Sequence, residues 1–456
     1  MRNVLILPCE TRVREFDAKL LLACHAVGRG FDVIVGWKRS IDLNVLKLPQ
    51  GIYVGKSVTN RNLLMFRILR RLGHMLTAWD EEGLVYASAE VYQQTKVGVE
   101  ALNEPRCLFA WGEANAAAWR SVDGFAGTPI VTAGNPRVDL LRPELRGYFS
   151  GQAAALRAEH GDFVLINTNF SRLNHFFESQ SRQRKLLEEG GDAITDDADP
   201  RLGWAAHKAA LFEAFKEMVP VLARRFPHAT IVVRPHPSEN AGVWLDISAD
   251  FANVRVIHAG NIAAWLHAAK VTIHNGCTTA VESYLLDRPA IAYQPVSSPE
   301  YDHYLPNGLS IEAVDLQSLE DHVAAALAGD TTVCPIQAAE RERLARDHIA
   351  SRGDVPACEL ILDGLAPYRR QTPHKPALSK RLAGVAAAEG RALFKRMAAL
   401  VPNNPNHVAY QRHMFPPIGA AEVRSIVAQF GGLLGRFEDI RVTPWQENAF
   451  RLTARR

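Results

Sequence analysis

Short apolar runs alternate with amphipathic segments along the first 330 residues of the chain. The run NVLILP at 3–8 is followed by apolar residues at helical spacing over 15–27 and by a second apolar run at 31–36. A short apolar run bounded by turn residues is typical of a strand that is buried on both faces. The pattern therefore predicts a βαβ unit, and its repetition predicts one Rossmann-like, doubly wound α/β domain over 1–150.

The alternation resumes at 162 and predicts a second Rossmann-like domain over 155–335. Its main strands are expected at 162–170, 229–237 and 271–276. Residues 178–202 are polar and charged, which predicts a mobile surface loop. Helices are expected at about 316–328 and 337–365, and 336–456 is expected to form a helical, basic C-terminal extension.

Composition restricts the class of protein. At 456 residues the chain is too long for a single core, and a net charge of +3 argues against a general nucleic-acid binder. Its six cysteines include no CxxC pair, which excludes a zinc ribbon and gives no disulfide framework, as expected in a reducing cytoplasm. The start reads as a strand rather than a signal peptide, and no apolar run approaches the roughly 20 residues that span a bilayer.

The first strand is not followed by a glycine-rich dinucleotide fingerprint. The sequence Glu10-Thr-Arg-Val-Arg-Glu15 stands in that place. NAD or FAD is therefore not expected, no other cofactor is indicated, and a bound nucleotide is assigned to the second domain as a substrate.

The first candidate motif is Arg234-Pro-His-Pro at the end of an apolar strand. Its prolines fix the backbone around His236 and keep that residue out of regular structure. A histidine there can donate to a phosphate oxygen or act as an acid, and Arg234 can bind the same anion. The alternative is a histidine satisfied by hydrogen bonds within a loop.

The second motif follows the next predicted strand of the same domain. Asn275 and Gly276 form a tight turn, after which Thr278 and Thr279 begin a helix. Hydroxyl and backbone N–H groups at a helix start accept a phosphate with help from the helix dipole, and Glu282 is one turn along for ribose hydroxyls. Both strand ends are expected to line one anion-binding cleft. Ordinary capping by Thr279 and Glu282 is the alternative.

Three adjacent acids, Asp80, Glu81 and Glu82, follow a predicted strand of the first domain. Adjacent carboxylates raise one another's pKa values, which suits a general base or a carboxylate nucleophile. A solvated acidic turn is the alternative.

Further polar and charged residues in the first domain are candidates for contacts with a second substrate. Arg12 and Arg14 are placed to bind an acidic group of that substrate, although a salt bridge at a helix start is an equal alternative. The full candidate set is Glu10, Arg12, Arg14, Asn135, Arg137 and Asp139. Asp197-Ala-Asp199 matches a metal-binding DxD string, but no strand precedes it, so we attribute the match to chance and expect no metal.

The stretch 369–396 is strongly basic. It holds eight Lys or Arg against one acid, Glu389, with apolar residues at helical spacing. This pattern predicts attachment to an anionic membrane surface. A solvated helix packed on the body of the protein is the alternative.

Several of these strings together resemble one bacterial family. They are Glu10-Thr-Arg-x-Arg-Glu, Leu48-Pro-Gln-Gly-Ile-Tyr, Trp79-Asp-Glu-Glu-Gly, Gly134-Asn-Pro-Arg-x-Asp, Arg234-Pro-His-Pro and His274-Asn-Gly-Cys-Thr-Thr. The family is that of surface carbohydrate biosynthesis proteins, which is similar to GT-B glycosyltransferases that use CMP-activated ulosonic acids such as Kdo. The histidine and Gly-Cys-Thr-Thr features also resemble those of teichoic-acid polymerases.

The resemblance implies a GT-B fold with two domains facing a cleft and a metal-independent reaction. It implies that His236, Thr278 and Thr279 hold the phosphate of CMP, that Glu282 binds the ribose, and that an acid such as Asp80 is the nucleophile. The expected function is transfer of a sugar to a surface polysaccharide, such as capsule or lipopolysaccharide, or to a lipid-linked acceptor at the cytoplasmic face of the inner membrane. The alternatives are a CDP-alcohol phosphotransferase, a nucleotide-sugar epimerase, or a non-catalytic scaffold that binds sugar nucleotides.

Overall fold

The protein contains two compact α/β units, as expected from the alternating pattern. The computed structural model describes residues 3–190, 200–330, 335–369, 375–402 and 404–455. The first unit comprises Met1–Leu84, Ala89–Tyr148 and Arg346–Arg456, and the second comprises Val85–Ser88 and Phe149–Ala345. Each unit has its own Rossmann-like sheet, which confirms the predicted fold class.

The first unit is built on six parallel strands. They are β1 (Asn3–Cys9), β2 (Phe31–Trp37), β3 (Ile52–Gly55), β4 (Met75–Ala78), β5 (Leu108–Ala110) and β6 (Ile130–Thr132). They lie in the order β2-β1-β3-β4-β5-β6, so the apolar β1 is central and buried between neighbours. The connecting α-helices are Asp17–Gly28, Lys38–Leu43, Leu63–Arg71, Ala89–Lys96, Val99–Asn103, Glu113–Arg120 and Pro136–Asp139.

The second unit has a parallel sheet of its own. Its strands are β7 (Phe163–Asn167), β8 (Thr230–Arg234), β9 (Val254–Val256), β10 (Val271–His274), β11 (Ala290–Tyr293) and β12 (Ile311–Ala313). The order β12-β11-β10-β7-β8-β9 places β7 and β10 at the centre. The helices are Gly147–His160, Arg182–Gly190, Pro200–Arg225, Gly242–Ser248, Ile262–Ala268, Thr278–Leu285, Tyr304–Gly308, Leu316–Leu327 and Pro335–His348.

The C-terminal segment differs from the expected helical extension. Its α-helices are Ala357–Arg369, Leu378–Ala398, Val408–Met414 and Ala420–Leu434, but it also forms β13 (Ile440–Gln446) and β14 (Ala449–Ala454). β14 pairs antiparallel with β2 and so extends the sheet of the first unit. Phe415 also packs against Phe16 with ring centroids 5.9 Å apart. This segment is therefore part of the first unit rather than a separate extension.

Two local predictions were wrong. The segment expected to be a loop at 178–202 contains the helix Arg182–Gly190 and the start of the helix Pro200–Arg225. The helix expected at 337–365 is two helices, which are separated by a short 3-10 turn at Ala350–Arg352. Asp197 and Asp199 lie outside the described residues.

None of the helices in the described ranges is both long enough and apolar enough to cross a bilayer.

Candidate functional site

Three strand ends meet at one edge of the second sheet. Asn167, the last residue of β7, is the register partner of both Arg234 on β8 and His274 on β10. The two predicted motifs therefore lie at the same edge, but β7 separates them by one strand. Asn167 is thus a central residue of this edge that the sequence analysis did not single out.

His236 follows β8 and is half-buried. Its Nδ1 accepts a hydrogen bond from the backbone N–H of Ser238 at 3.2 Å. A neutral imidazole whose Nδ1 is an acceptor carries its proton on Nε2. The loop thus orients His236 so that Nε2 is its hydrogen-bond donor. A histidine that binds a phosphate oxygen must act as such a donor.

A buried carboxylate holds the loops after β7 and β8 together. Glu239 accepts hydrogen bonds from Thr168 Oγ1 at 2.9 Å, from the backbone N–H of Phe170 at 3.0 Å and from Trp244 Nε1 at 2.8 Å. Burial raises the pKa of Glu239. These bonds fix the loop that carries His236.

Arg234 has a structural role that the sequence analysis did not foresee. Its Nη1 and Nη2 donate to the backbone oxygens of Ala259 and Gly260, both at 2.6 Å, and its guanidinium stacks over Trp265. Burial lowers the pKa of Arg234 to about 10. The side chain therefore ties down the loop after β9, and its two terminal nitrogens are already committed.

The turn between β10 and the helix Thr278–Leu285 requires glycine. Gly276 has a φ of +84°, and a Cβ at this position would lie 3.1 Å from His303 Nδ1. His303 Nδ1 donates to the carbonyl oxygen of Gly276 at 2.5 Å. The turn is thus left-handed and closely covered, which only glycine permits without strain.

The start of the helix Thr278–Leu285 has no side-chain cap. The N-cap residue is Cys277, whose Sγ lies 2.6 Å from Thr279 Oγ1. The expected alternative, a capping box between Thr279 and Glu282, is therefore not formed. Thr278, Thr279 and Glu282 are all half-buried. The backbone N–H of Ala280 donates to the carbonyl oxygen of Cys277 at 3.2 Å, and the N–H groups of Thr279 and Ala280 also lie close to the Cys277 thiol.

Two buried amide side chains lie at this edge with unsatisfied polar atoms. Within the part of the chain that the structure describes, Asn275 Oδ1, Asn275 Nδ2 and Asn167 Nδ2 have no hydrogen-bond partner. Asn275 and Asn167 are each 4% exposed. Buried polar groups are nearly always satisfied, so these atoms indicate a place where a polar ligand binds.

Lys208 is a second residue of this site, after Asn167, that the sequence analysis did not identify. It lies on the helix Pro200–Arg225, is buried, and its Nζ is 3.5 Å from the carbonyl oxygen of Asn275. Burial lowers the pKa of Lys208 to about 8, while Asp302 opposes that shift. Burial and the positive charges of Lys208 and Arg172 also hold the pKa of His303 well below its usual value. Lys208 and Arg172 are thus two cations close to the neutral His303, which covers the turn at Gly276.

The three acids after β4 in the first unit have different surroundings. Asp80 is buried and accepts from Tyr92 Oη at 2.9 Å, and burial together with Glu82 raises its pKa to about 6. Glu81 forms a buried ion pair with Lys19 at 2.8 Å. Glu82 is paired with Lys96 at the surface. Asp80 has the raised pKa that the sequence analysis expected of a base, whereas Lys96 holds the pKa of Glu82 well below its usual value.

The residues after β1 form an ion-pair network. They enter a π-helical turn at Arg12–Phe16, where Glu15 pairs with Lys19 at 2.7 Å. Glu10 pairs with Lys56. Arg12 pairs with Glu422 and donates to the carbonyl oxygen of Pro417 at 2.8 Å. Arg12 is thus engaged with the C-terminal segment, and Arg14 is half-buried beside this network.

The Gly134-Asn-Pro-Arg-x-Asp string connects elements of the first unit. Asn135 caps the short helix Pro136–Asp139 by accepting from the backbone N–H of Arg137 at 3.0 Å, and Arg137 lies over Trp111. Asp139 is buried and accepts from the backbone N–H groups of Ala357 at 2.7 Å and Cys358 at 2.8 Å. Asp139 therefore caps the helix Ala357–Arg369.

We expect Asp139→Ala to destabilise the first unit by about 1–2 kcal/mol, since it removes a buried helix cap. Burial raises the pKa of Asp139 to about 6, above its unfolded value. The wild-type chain should therefore lose stability as the pH rises from about 4 to 6, and the variant should lack this loss. Calorimetric melting across this range measures both effects.

The matched control for this prediction is Asp363→Ala, which changes an exposed acid on the same helix. It should shift stability by less than about 0.5 kcal/mol. An Asp139→Ala protein with normal melting but altered acceptor use would contradict the capping role.

A metal ion is usually held by several His, Cys, Asp or Glu side chains that lie close together. Across the described ranges, no group of three His, Cys, Asp or Glu residues is placed to hold a metal ion.

Comparison with known proteins identifies the fold. No protein-family model matches the chain, and neither does any curated protein. Among solved structures, a UDP-GlcNAc 2-epimerase from Neisseria meningitidis bound to UDP-GlcNAc is 12% identical, covers 80% of this chain and 100% of its own, and has a TM-score of 0.50. A Listeria monocytogenes protein assigned as a UDP-N-acetylglucosamine 2-epimerase is 11% identical, covers 83% and 99%, and also has a TM-score of 0.50. The wall teichoic acid polymerase TagF is 12% identical, covers 81% and 88%, and has a TM-score of 0.46.

The likenesses to the two structures with a TM-score of 0.50 establish the fold of the chain. It is a GT-B fold, with two Rossmann-like units. At such low identity the likeness shows the fold alone, so the function must be argued from the site.

Proposed function

We propose that this chain is a metal-independent GT-B glycosyltransferase whose nucleotide-sugar donor binds the second unit. The main observation behind the proposal concerns the edge of the second sheet where β7 and β10 end. This edge holds a buried cation and buried polar atoms that lack hydrogen-bond partners among the described residues. There Lys208 lies behind the Asn275–Cys277 turn, and the Asn275 side-chain amide is buried without a partner. Such an edge, at the carboxyl ends of parallel strands and beside a helix start, suits a phosphate.

The site would act on the leaving group of the reaction. As the glycosidic bond to the nucleotide breaks, negative charge develops on the phosphate oxygens. Lys208, the Nε2–H of His236 and the first N–H groups of the helix Thr278–Leu285 would stabilise that charge. Thr278 and Thr279 would add hydroxyl donors, and Glu282 would accept from the ribose.

The donor we propose is CMP-linked, with an ulosonic acid such as Kdo as the sugar. This finer assignment is supported by the resemblance of Arg234-Pro-His-Pro and His274-Asn-Gly-Cys-Thr-Thr to enzymes that use such donors. Titration calorimetry with CMP, CDP and UDP tests it. We expect CMP to bind most tightly, and tight binding of UDP alone would contradict the assignment.

The acceptor we propose is a surface glycan or a lipid-linked glycan, bound by the first unit. Asp80 is the acid best suited to take the proton of an acceptor hydroxyl or to attack the sugar. Its pKa of about 6 leaves it largely ionised at neutral pH yet more basic than an ordinary aspartate.

A nucleotide-sugar epimerase is the second candidate. It is supported by the GT-B structure from Neisseria meningitidis, an epimerase bound to UDP-GlcNAc. An epimerase returns its nucleotide sugar with one centre inverted, whereas a transferase releases the nucleotide. Incubation with UDP-GlcNAc and with a CMP-linked sugar, followed by chromatography of the nucleotides, separates the two.

A further inference from the structure

The helix Leu378–Ala398 packs on the first unit mainly through small residues, together with Val385 and an ion pair between Arg391 and Asp42 at 3.3 Å. Gly384, Ala388 and Ala392, which are four residues apart, are buried on one face. A Cβ on Gly384 would lie 2.8 Å from the Cβ of Arg71, so the helix approaches the helix Leu63–Arg71 closely. The interface is therefore fixed mainly by small side chains, and the large apolar residues of the helix are left for another role.

The opposite face of this helix exposes large apolar side chains. Leu382 and Leu393 are each 60% exposed, Met397 is 61% exposed, and Leu400 just beyond the helix is 79% exposed. Positions 382, 393, 397 and 400 fall on one side of a helix with 3.6 residues per turn. Phe394, at 65%, lies at the border of this stripe. Together they form an apolar face that the described chain does not cover, whereas water-exposed helix faces are normally polar.

Exposed cations accompany this apolar face. Lys375, Lys380, Arg381 and Arg396 are exposed, and none forms an ion pair with another described residue. The only acid in the same stretch is Glu389. With 3.6 residues per turn, Arg396 lies beside the apolar side chains, Lys380 and Arg381 extend from the first turn toward the side of Gly384, and Glu389 falls among the exposed apolar positions. With exposed Leu, Phe and Met and four exposed cations against one acid, this stretch has the composition of an interfacial membrane helix.

We propose that this face rests on a bilayer surface that contains anionic lipids. The apolar side chains would enter the boundary between headgroups and acyl chains, and the four cations would pair with lipid phosphates. A second copy of the chain fits less well, because both copies would carry the same excess of cations and would repel each other. The net positive charge of the exposed side chains therefore favours an anionic lipid surface as the occupant.

Vesicle sedimentation with the full chain tests this proposal. We expect the protein to sediment with vesicles of equimolar phosphatidylcholine and phosphatidylglycerol, and only weakly with phosphatidylcholine alone. The triple variant Lys380→Gln, Arg381→Gln, Arg396→Gln should bind the mixed vesicles about a hundredfold more weakly. Leu393→Asp should weaken binding roughly tenfold.

Control measurements separate the proposal from its competitors. Leu245→Asp changes an exposed leucine of the second unit and should leave vesicle binding unchanged. Because all of these positions are exposed, melting temperatures should stay at the wild-type value. Equal sedimentation with both vesicle types, or a dimer in sedimentation velocity that Leu393→Asp dissociates, would overturn the proposal.

Discussion

Lys208→Met is expected to raise the melting temperature of the second unit and, at the same time, to weaken nucleotide binding. Burial lowers the pKa of Lys208 from 10.5 to about 8, so at pH 7 the folded chain holds a cation that it disfavours. This difference corresponds to a folding cost of about 3 kcal/mol. Removing the charge should raise the melting temperature by about 5 °C or more. Nucleotide affinity should fall about 10- to 100-fold, because a charge-assisted bond to phosphate is lost.

The pH dependence of stability and of nucleotide affinity in the wild-type chain provides an independent test of the role of Lys208. The folded pKa of Lys208 lies below the unfolded value, so this residue destabilises the fold fully below about pH 8, and the cost is relieved as the pH rises toward 10.5. Nucleotide affinity should decline over the same rise, since the cation is lost. Both trends should be absent in Lys208→Met.

The control for Lys208 is Lys216→Met, on the same helix. Lys216 is at the surface, where it pairs with Glu213. It should change neither melting temperature nor affinity. A Lys208→Met protein that binds nucleotide normally would remove Lys208 from the proposed site.

His236→Ala is expected to lower kcat about 100- to 1000-fold, since the leaving phosphate loses a preorganised donor. The Nδ1 of His236 is occupied by the backbone N–H of Ser238, so Nε2 is the donor in question. Two further variants separate these atoms. Asn at this position can still accept from Ser238 but places no donor at Nε2, whereas Gln places its amide near Nε2.

We therefore expect His236→Asn to be as inactive as His236→Ala and His236→Gln to recover part of the rate. His228→Ala, at an exposed histidine before β8, should behave as wild type. Unchanged polysaccharide production in cells that carry His236→Ala would favour a non-catalytic binding protein, whereas an unchanged transfer rate of the purified variant would point to another charge stabiliser. Polysaccharide production in cells, compared with purified transfer rates, distinguishes these two outcomes.

Sequence patterns identified most of the framework because buried parallel strands are continuous apolar runs. β1, β7, β8 and β10 all have this form, and each ends in polar residues where a ligand would bind. The turn at Gly276 and the proline-flanked His236 could be predicted for the same reason. A functional group can be predicted from sequence when a short motif contains both that group and the residues that fix its backbone, such as the prolines on either side of His236.

Residues that act over long sequence distances were not predictable in this way. Lys208 is one lysine among many on a helical stretch, and only folding brings it beside Asn275, 67 residues later. Arg234 looked like an anion ligand, but its partners are carbonyls on a loop that the sequence did not connect to it. β13 contains Pro444, which is typical of an edge strand and which weakened the strand pattern there.

The pairing of β2 with β14 has a consequence for synthesis of the protein. Val35 of β2 pairs with Phe450 of β14. The edge of β2 that binds β14 therefore has no partner until the ribosome has made more than 400 further residues. At about 5–20 residues per second, the ribosome needs about 20–80 s to supply them. During that time β2 presents an unpaired edge to solvent, and the second unit receives its last strand, which ends at Ala313, well before β14 is made. The unit that begins the chain should therefore be the last to mature, and it should depend most on chaperones.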